Sequence, residues 1–120
     1  MDYLLKAALL LIISMKSLGG GVRLDRTEYV TGDTARYESF RLHLINPTDS
    51  LVVIDRVESS CGCILATLQN RFATRETPGN VYVALTVDKL DTDQPVTIDV
   101  YSSATGPAPL RLYVRRGPER

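Results

Sequence analysis

The 120-residue chain has no tryptophan, one histidine, two cysteines and no net charge, because 14 basic residues balance 14 acidic ones. Without a basic excess, neither nucleic acid nor an anionic membrane surface is favoured as a generic partner. A single histidine makes a Ser-His-Asp triad a poor hypothesis, and no glycine-rich phosphate loop is present. These absences predict a protein that is not an enzyme.

The chain also lacks an apolar run long enough to cross a bilayer. The stretch AALLLIISM is uncharged over nine residues, whereas a membrane-spanning helix needs about 20. Lys6 precedes this run and the small residues of KSLGGG follow it, which is the order of a secretory signal peptide. We therefore predict a signal peptide over 1–21, cut near 19–21, and a mature domain over 22–120 without a membrane span; an uncleaved anchor is the alternative. Export to an oxidising compartment makes a paired thiol plausible.

Helical periodicity is hard to find, and alternation with a period of two dominates. In YESFRLHLIN the side chains of Phe40, Leu42 and Leu44 share one face, and three later segments, NVYVALTVD, PVTIDVYSS and PLRLYVRR, alternate in the same way. VRLDRTEYV, LVVIDRVE and CILATL add three short strands, and turn residues separate the runs. About seven short strands in one domain predict an all-β fold, an antiparallel β-sandwich of immunoglobulin type.

Both cysteines lie in the stretch SSCGC, at Cys61 and Cys63. In an extended strand two such residues are roughly 6.5–7 Å apart, at or beyond the usual Cα limit of about 6.8 Å for a disulfide. A bridge would therefore need the chain to bend at Gly62, which glycine permits. Three interpretations stay open: a structural pair, bonded or packed; a soft-metal site; and a redox couple.

The metal interpretation assigns Cys61 and Cys63 as ligands, because two thiolates can hold a soft ion such as Cu(I). His43 alternates onto the face opposite Leu42 and Leu44, so we expect it on a sheet face rather than at the metal. A closed zinc site would need two further ligands. Cu(I) is thus the one candidate cofactor, in a site that a partner or a second copy would complete.

Three stretches carry a family resemblance: LINPTDSLVVIDRVESSCGC, the Pro-Gly before VYVALTV, and VTIDVYSSATGPAPLRLYVRRG. Over roughly 35–117 the chain resembles a bacterial family of exported Ig-like domains of unknown function with a Ser-Cys-Gly-Cys motif, related to the ASPM/Hydin group of immunoglobulin-like modules. The turn that follows Asn46 is Pro-Thr-Asp, whereas the family usually has Thr-Gly-Asp at this place. The resemblance implies a structural motif made of Asn46, Ser60, Cys61, Gly62, Cys63, Pro78 and Gly79.

The resemblance also implies a place in the periplasm or cell envelope of a bacterium. There we expect a non-enzymatic binding or structural module whose partner is another envelope protein or a glycan. Arg111, Arg115 and Arg116 with Tyr113 would form the outer face of the last strand, either as a charged edge that blocks pairing or as a contact surface. The alternative function is a thiol-dependent redox or copper(I)-binding protein that uses the Cys-Gly-Cys pair.

Overall fold

A computed structural model describes residues 21–32, 36–90 and 94–117, so the predicted signal peptide lies almost wholly outside the described residues. Nine strands and one short 3-10 helix (Val87–Lys89) follow one another along the chain: β1 Arg23–Leu24, β2 Glu28–Val30, β3 Tyr37–Ile45, β4 Val52–Ser59, β5 Ile64–Asn70, β6 Phe72–Ala73, β7 Gly79–Thr86, β8 Val96–Ser102 and β9 Leu110–Arg115.

The strands form two packed sheets, which confirms the predicted all-β sandwich. One sheet has four strands in the order β1-β3-β7-β5, and the other has five in the order β2-β9-β8-β4-β6. Within the part of the chain that the structure describes, no helix is long and apolar enough to span a membrane.

The core lies between the sheets and is built from the predicted alternating stripes. Each stripe leaves its inward side chains nearly inaccessible, as at Leu42, Val83, Ile98 and Leu112, all 0% exposed. Burying a side chain of this size contributes about 1.5–3 kcal/mol. The outward side chains of the same strands are half-buried or exposed, so the sequence period decides which residues remain available for contacts with other molecules.

The N-terminal segment departs from the predicted single antiparallel strand. β1 pairs antiparallel with β3, whereas β2 joins the other sheet and runs parallel to β9. The chain passes from one sheet to the other at Asp25 and Arg26. The Asp25 carboxylate is hydrogen-bonded to His43, and the Arg26 guanidinium lies over the rings of Tyr29 and Phe40. Where the chain passes between the sheets, these polar side-chain contacts thus replace the backbone hydrogen bonds of one continuous strand. Together with the unpredicted two-residue β6, this split raises the strand number from about seven to nine.

Candidate functional site

The turn between β4 and β5 holds both cysteines. Cys61 and Cys63 are joined by a disulfide, with their Cα atoms 5.2 Å apart. That separation is shorter than the roughly 6.5–7 Å of an extended strand, so the chain bends at Gly62. The backbone N–H of Ile64 closes the turn by donating to the Cys61 carbonyl over 3.2 Å.

Hydrogen bonds on both flanks hold this turn without involving either sulfur. Ser60 exchanges two bonds with Thr97 at the start of β8: its N–H donates to the Thr97 carbonyl over 3.0 Å, and its Oγ accepts the Thr97 N–H over 2.9 Å. On the other side, the N–H of Thr86 at the end of β7 donates to the Cys63 carbonyl over 3.0 Å. The turn is therefore tied to both sheets.

The two sulfurs differ in their surroundings. Both cysteines are half-buried and pack against the edge of the core. The Sγ atom of Cys61 accepts a hydrogen bond of 3.0 Å from the backbone N–H of Cys63. Gly62 is exposed, and a Cβ added there would meet no atom within 4 Å. Solvent thus reaches the outer side of the turn.

A groove of about 400 Å³ runs from this turn across the outer face of the four-stranded sheet. Cys63 lines one end, and the apolar walls come from Tyr37 and Leu65, which are 70% and 67% exposed. Ala84 pairs with Leu65 across the sheet, and its small side chain forms the floor between the larger residues. This combination places exposed apolar surface next to a disulfide.

The groove was missed by the sequence analysis because its residues occupy the outward phase of their strands, where polar side chains were expected. Large apolar residues at outward positions were the signal. Leu65 in CILATL and Tyr82 in NVYVALTVD both fall out of phase with the buried stripe. Neither residue belongs to the predicted structural motif.

Asn46, the first residue of that motif, lies at the other end of the sandwich and is buried. Its side-chain amide donates to the carbonyl oxygens of Ser50 and Ala73 over 2.7 and 2.8 Å. Its Oδ1 accepts from the N–H and the hydroxyl of Thr48 over 3.0 and 2.6 Å. All of its bonds are internal, so Asn46 fixes the β3–β4 turn against β6.

Pro78 and Gly79 also serve packing at that end. A Cβ on Gly79 would lie 2.7 Å from Cδ1 of Ile54 and 3.3 Å from Cβ of Leu44, so a larger residue there would require the Ile54 side chain to shift. The Pro78 carbonyl accepts from the Asn70 side chain over 2.8 Å. Close approach of the backbone therefore accounts for the Pro-Gly pair.

The structure does not bring the seven motif residues together. Gly79 begins β7, whereas Thr86, which bonds Cys63, ends it; eight residues of strand span roughly 23 Å at about 3.3 Å per step. His43 pairs with Asn80 near the Gly79 end, and its Nδ1 lies 2.9 Å from Asp25 Oδ2. His43 is thus remote from the cysteines.

The metal interpretation is restricted by these positions. With the sulfurs joined, thiolate ligands exist only after reduction. Among residues 21–32, 36–90 and 94–117, no three His, Cys, Asp or Glu side chains cluster as a metal site would require. Cu(I) ligation by Cys61 and Cys63 stays a prediction that needs outside ligands.

The arginines of the last strand are engaged within the molecule. Arg111 binds Asp99 through two hydrogen bonds of 2.7 and 3.0 Å, which raise the pKa of its guanidinium further above the ordinary value. Arg115 donates to Glu28 over 2.8 Å, and Arg116 also has a partner. A contact surface built on these side chains and Tyr113 stays a prediction.

Fold and site together define a small β-sandwich in which a disulfide-closed turn borders a groove lined by polar and apolar residues. The chain belongs to the family described as "Protein of unknown function (DUF1573)", whose sequence model matches residues 22–116. The expected membership in a family of unknown function is thereby confirmed. No curated protein matches the chain.

Proposed function

We propose that this protein is a non-enzymatic, exported Ig-like binding module of the bacterial cell envelope, related to the ASPM/Hydin group. It binds an extended segment of another envelope protein, which adds to the free edge of β5. The observation that carries the proposal is an uncharged edge strand, ILATLQN, next to a groove in which Leu65 is exposed.

Edge strands normally carry features that prevent pairing with other chains, such as charges or short length. The other sheet ends on one side in β2, which carries the Glu28–Arg115 ion pair, and on the other in β6, with two residues. β5 has seven residues and no charged side chain, and among the described residues it pairs only with β7. The register of this pairing shifts between Leu68 and Asn70, so the regular part of the edge runs from Ile64 to Leu68. Its open side offers the backbone donors and acceptors that an added strand uses.

The groove supplies side-chain selectivity beside that edge. An apolar side chain of the added segment would contact Leu65 and rest over Ala84. Further along, Arg41 lies over the Tyr82 ring at 5.8 Å and donates to Gln69; no carboxylate pairs with it among the described residues. We therefore expect an acidic residue in the bound segment, two to four positions from the apolar one, since Arg41 is level with Thr67 through Tyr82 and its side chain reaches Gln69.

The test is site-specific photo-crosslinking in the native envelope from Thr67, an exposed residue of β5. Mass spectrometry of the crosslink should identify an extended segment of another protein with the apolar–acidic spacing. Leu65→Lys should lower the crosslink yield about tenfold or more, because burial of one leucine is lost. Leu51→Lys is the matched control, since Leu51 is 54% exposed outside the groove.

Two results would contradict the proposal. Crosslinks only to a second copy of this chain would make β5 a self-association edge. An equal loss of yield in both leucine variants would show that the groove has no part in selecting the partner.

A further inference from the structure

The geometry points to a thiol–disulfide exchange activity at the turn, in which an incoming thiolate attacks Sγ of Cys63 and Cys61 is the leaving group. The exchange is a stoichiometric reaction of the protein's own disulfide, so it adds to the non-enzymatic binding function, and it does not depend on a segment docked at β5. Cys63 and Gly62 line the groove, whereas Cys61 does not. An attacking thiolate that approaches along the groove therefore meets residue 63 rather than residue 61, next to the open space at Gly62.

The hydrogen bond at the disulfide also favours Cys61 as the leaving group and Cys63 as the attacked sulfur. Cys61 Sγ already accepts the Cys63 backbone N–H over 3.0 Å. When the bond breaks, the negative charge on Cys61 appears where this donor points, and a hydrogen bond to an ionised acceptor is stronger than one to a neutral atom. A better stabilised thiolate leaves faster in exchange reactions. No equivalent donor contacts the Cys63 sulfur among the described residues.

The reaction balances with a dithiol as the reductant. One thiolate of the dithiol forms a bond to Cys63 Sγ, the Cys61–Cys63 bond breaks, and Cys61 departs as the thiolate. The second thiol of the dithiol, as its thiolate, then attacks the dithiol sulfur that is bonded to Cys63. This step closes the disulfide of the dithiol and releases the Cys63 thiolate. Two electrons pass from the dithiol to the cysteines, the dithiol becomes a disulfide, and its two protons neutralise the two thiolates.

The structure of the turn allows the exchange reaction to proceed in both directions. The bonds from Ser60 to Thr97 and from Thr86 to the Cys63 carbonyl involve no sulfur atom, so reduction leaves them in place. The two thiols then remain neighbours, and an oxidised partner can accept the electrons back through the same mixed disulfide at Cys63. The sequence of steps is the reverse of reduction.

Direction of attack is tested on the oxidised wild-type protein with glutathione as the monothiol probe. The reaction is quenched with N-ethylmaleimide in acid. Tandem mass spectrometry then shows which cysteine carries glutathione and which carries the maleimide. We expect glutathione on Cys63 and maleimide on Cys61, in excess over the reverse pattern by about tenfold or more, the factor that one hydrogen bond to a charged atom supplies. Equal labelling, or glutathione mainly on Cys61, would overturn the assignment.

A failure to form any mixed disulfide would overturn the activity itself, provided that the protein unfolded in urea reacts under the same conditions. A second measurement uses Cys63→Ser and Cys61→Ser, each of which keeps the backbone N–H of residue 63. Alkylation by iodoacetamide should begin at lower pH for Cys61 in the first variant than for Cys63 in the second. Identical pH profiles would contradict the role of the hydrogen bond.

Discussion

The two ends of the sandwich carry residues that were predicted to form one structural motif, and the two ends differ in almost every physical respect. At the Asn46–Gly79 end, the side chain of Asn46 is buried with all of its hydrogen bonds made, the buried Oδ1 of Asn80 has no partner, and a methyl group at residue 79 would require the Ile54 side chain to shift. At the Cys61–Cys63 end, the turn is exposed at Gly62 and opens onto a groove. The residues predicted as one motif therefore have different surroundings, close packing at one end and an exposed disulfide turn at the other.

The largest effect on stability is expected for Asn46→Ala. The substitution leaves the buried carbonyl oxygen of Ala73 without its donor and the N–H of Thr48 without its acceptor, and an unsatisfied buried group costs about 1–3 kcal/mol. We expect a loss of roughly 3 kcal/mol in the free energy of unfolding, measured by denaturant titration. Asn70→Ala, which removes bonds at a more exposed site, should cost less. A loss below that of the control would show that burial does not decide the cost of removing polar side chains at this end.

The two glycines provide the next comparison. Gly79→Ala forces a methyl group against Ile54 and Leu44, and overpacking of this kind costs about 1–3 kcal/mol. Gly62→Ala adds the same atom into open space and should change stability by no more than about 0.5 kcal/mol. Thermal unfolding of the two variants side by side measures the difference. Equal losses would show that the turn is under constraints that packing does not reveal.

How much of this contrast the sequence could predict depends on the range of the interactions. The inward stripes follow from a period of two, so the residues around Leu42 and Val83 were predicted as core. The split of β1 and β2 was not, because it depends on where Asp25 and Arg26 find partners in distant strands. The groove depends on Leu65, Tyr37 and Ala84 meeting across three strands, and that register is set by the folded sheet.

The disulfide should contribute less to stability than the packed end does. A ring closed over three residues restricts the unfolded chain little, by about 1.5 kcal/mol on the chain-entropy relation. Cys61→Ser/Cys63→Ser should therefore lose about this much and keep its β-sheet circular dichroism spectrum. A loss above that of Asn46→Ala would make the pair a main structural element.

The same double variant tests the copper interpretation. Reduced wild-type protein and the variant are each titrated with Cu(I) against a competing chelator. Because the pair has no third ligand among the described residues, we expect no tight one-to-one complex in the monomer. Stoichiometric Cu(I) retained by the wild type alone would establish the pair as a metal site.

The smallest effect is the pH dependence of stability that comes from Tyr29, which is hydrogen-bonded to Glu38 at the end of the sandwich that carries the groove. Burial, followed by a hydrogen bond of 2.6 Å to Glu38, raises the pKa of Tyr29 to about 12. The unfolded chain ionises this phenol near its ordinary value of about 10, while the folded protein keeps it neutral. Its contribution to stability is therefore complete below about pH 10 and is lost as the pH rises towards 12.

Tyr29→Phe keeps the ring that stacks on Phe40 at 4.0 Å and removes the ionisable group. Between pH 9 and 11.5 the wild type should lose stability more steeply than this variant, as measured by urea unfolding at each pH. Tyr37→Phe is the control, because Tyr37 is 70% exposed and its removal should leave the slope unchanged. If the two variants have the same slope, the interior under the groove does not hold Tyr29 neutral, and the open end is less closely packed than its contacts indicate.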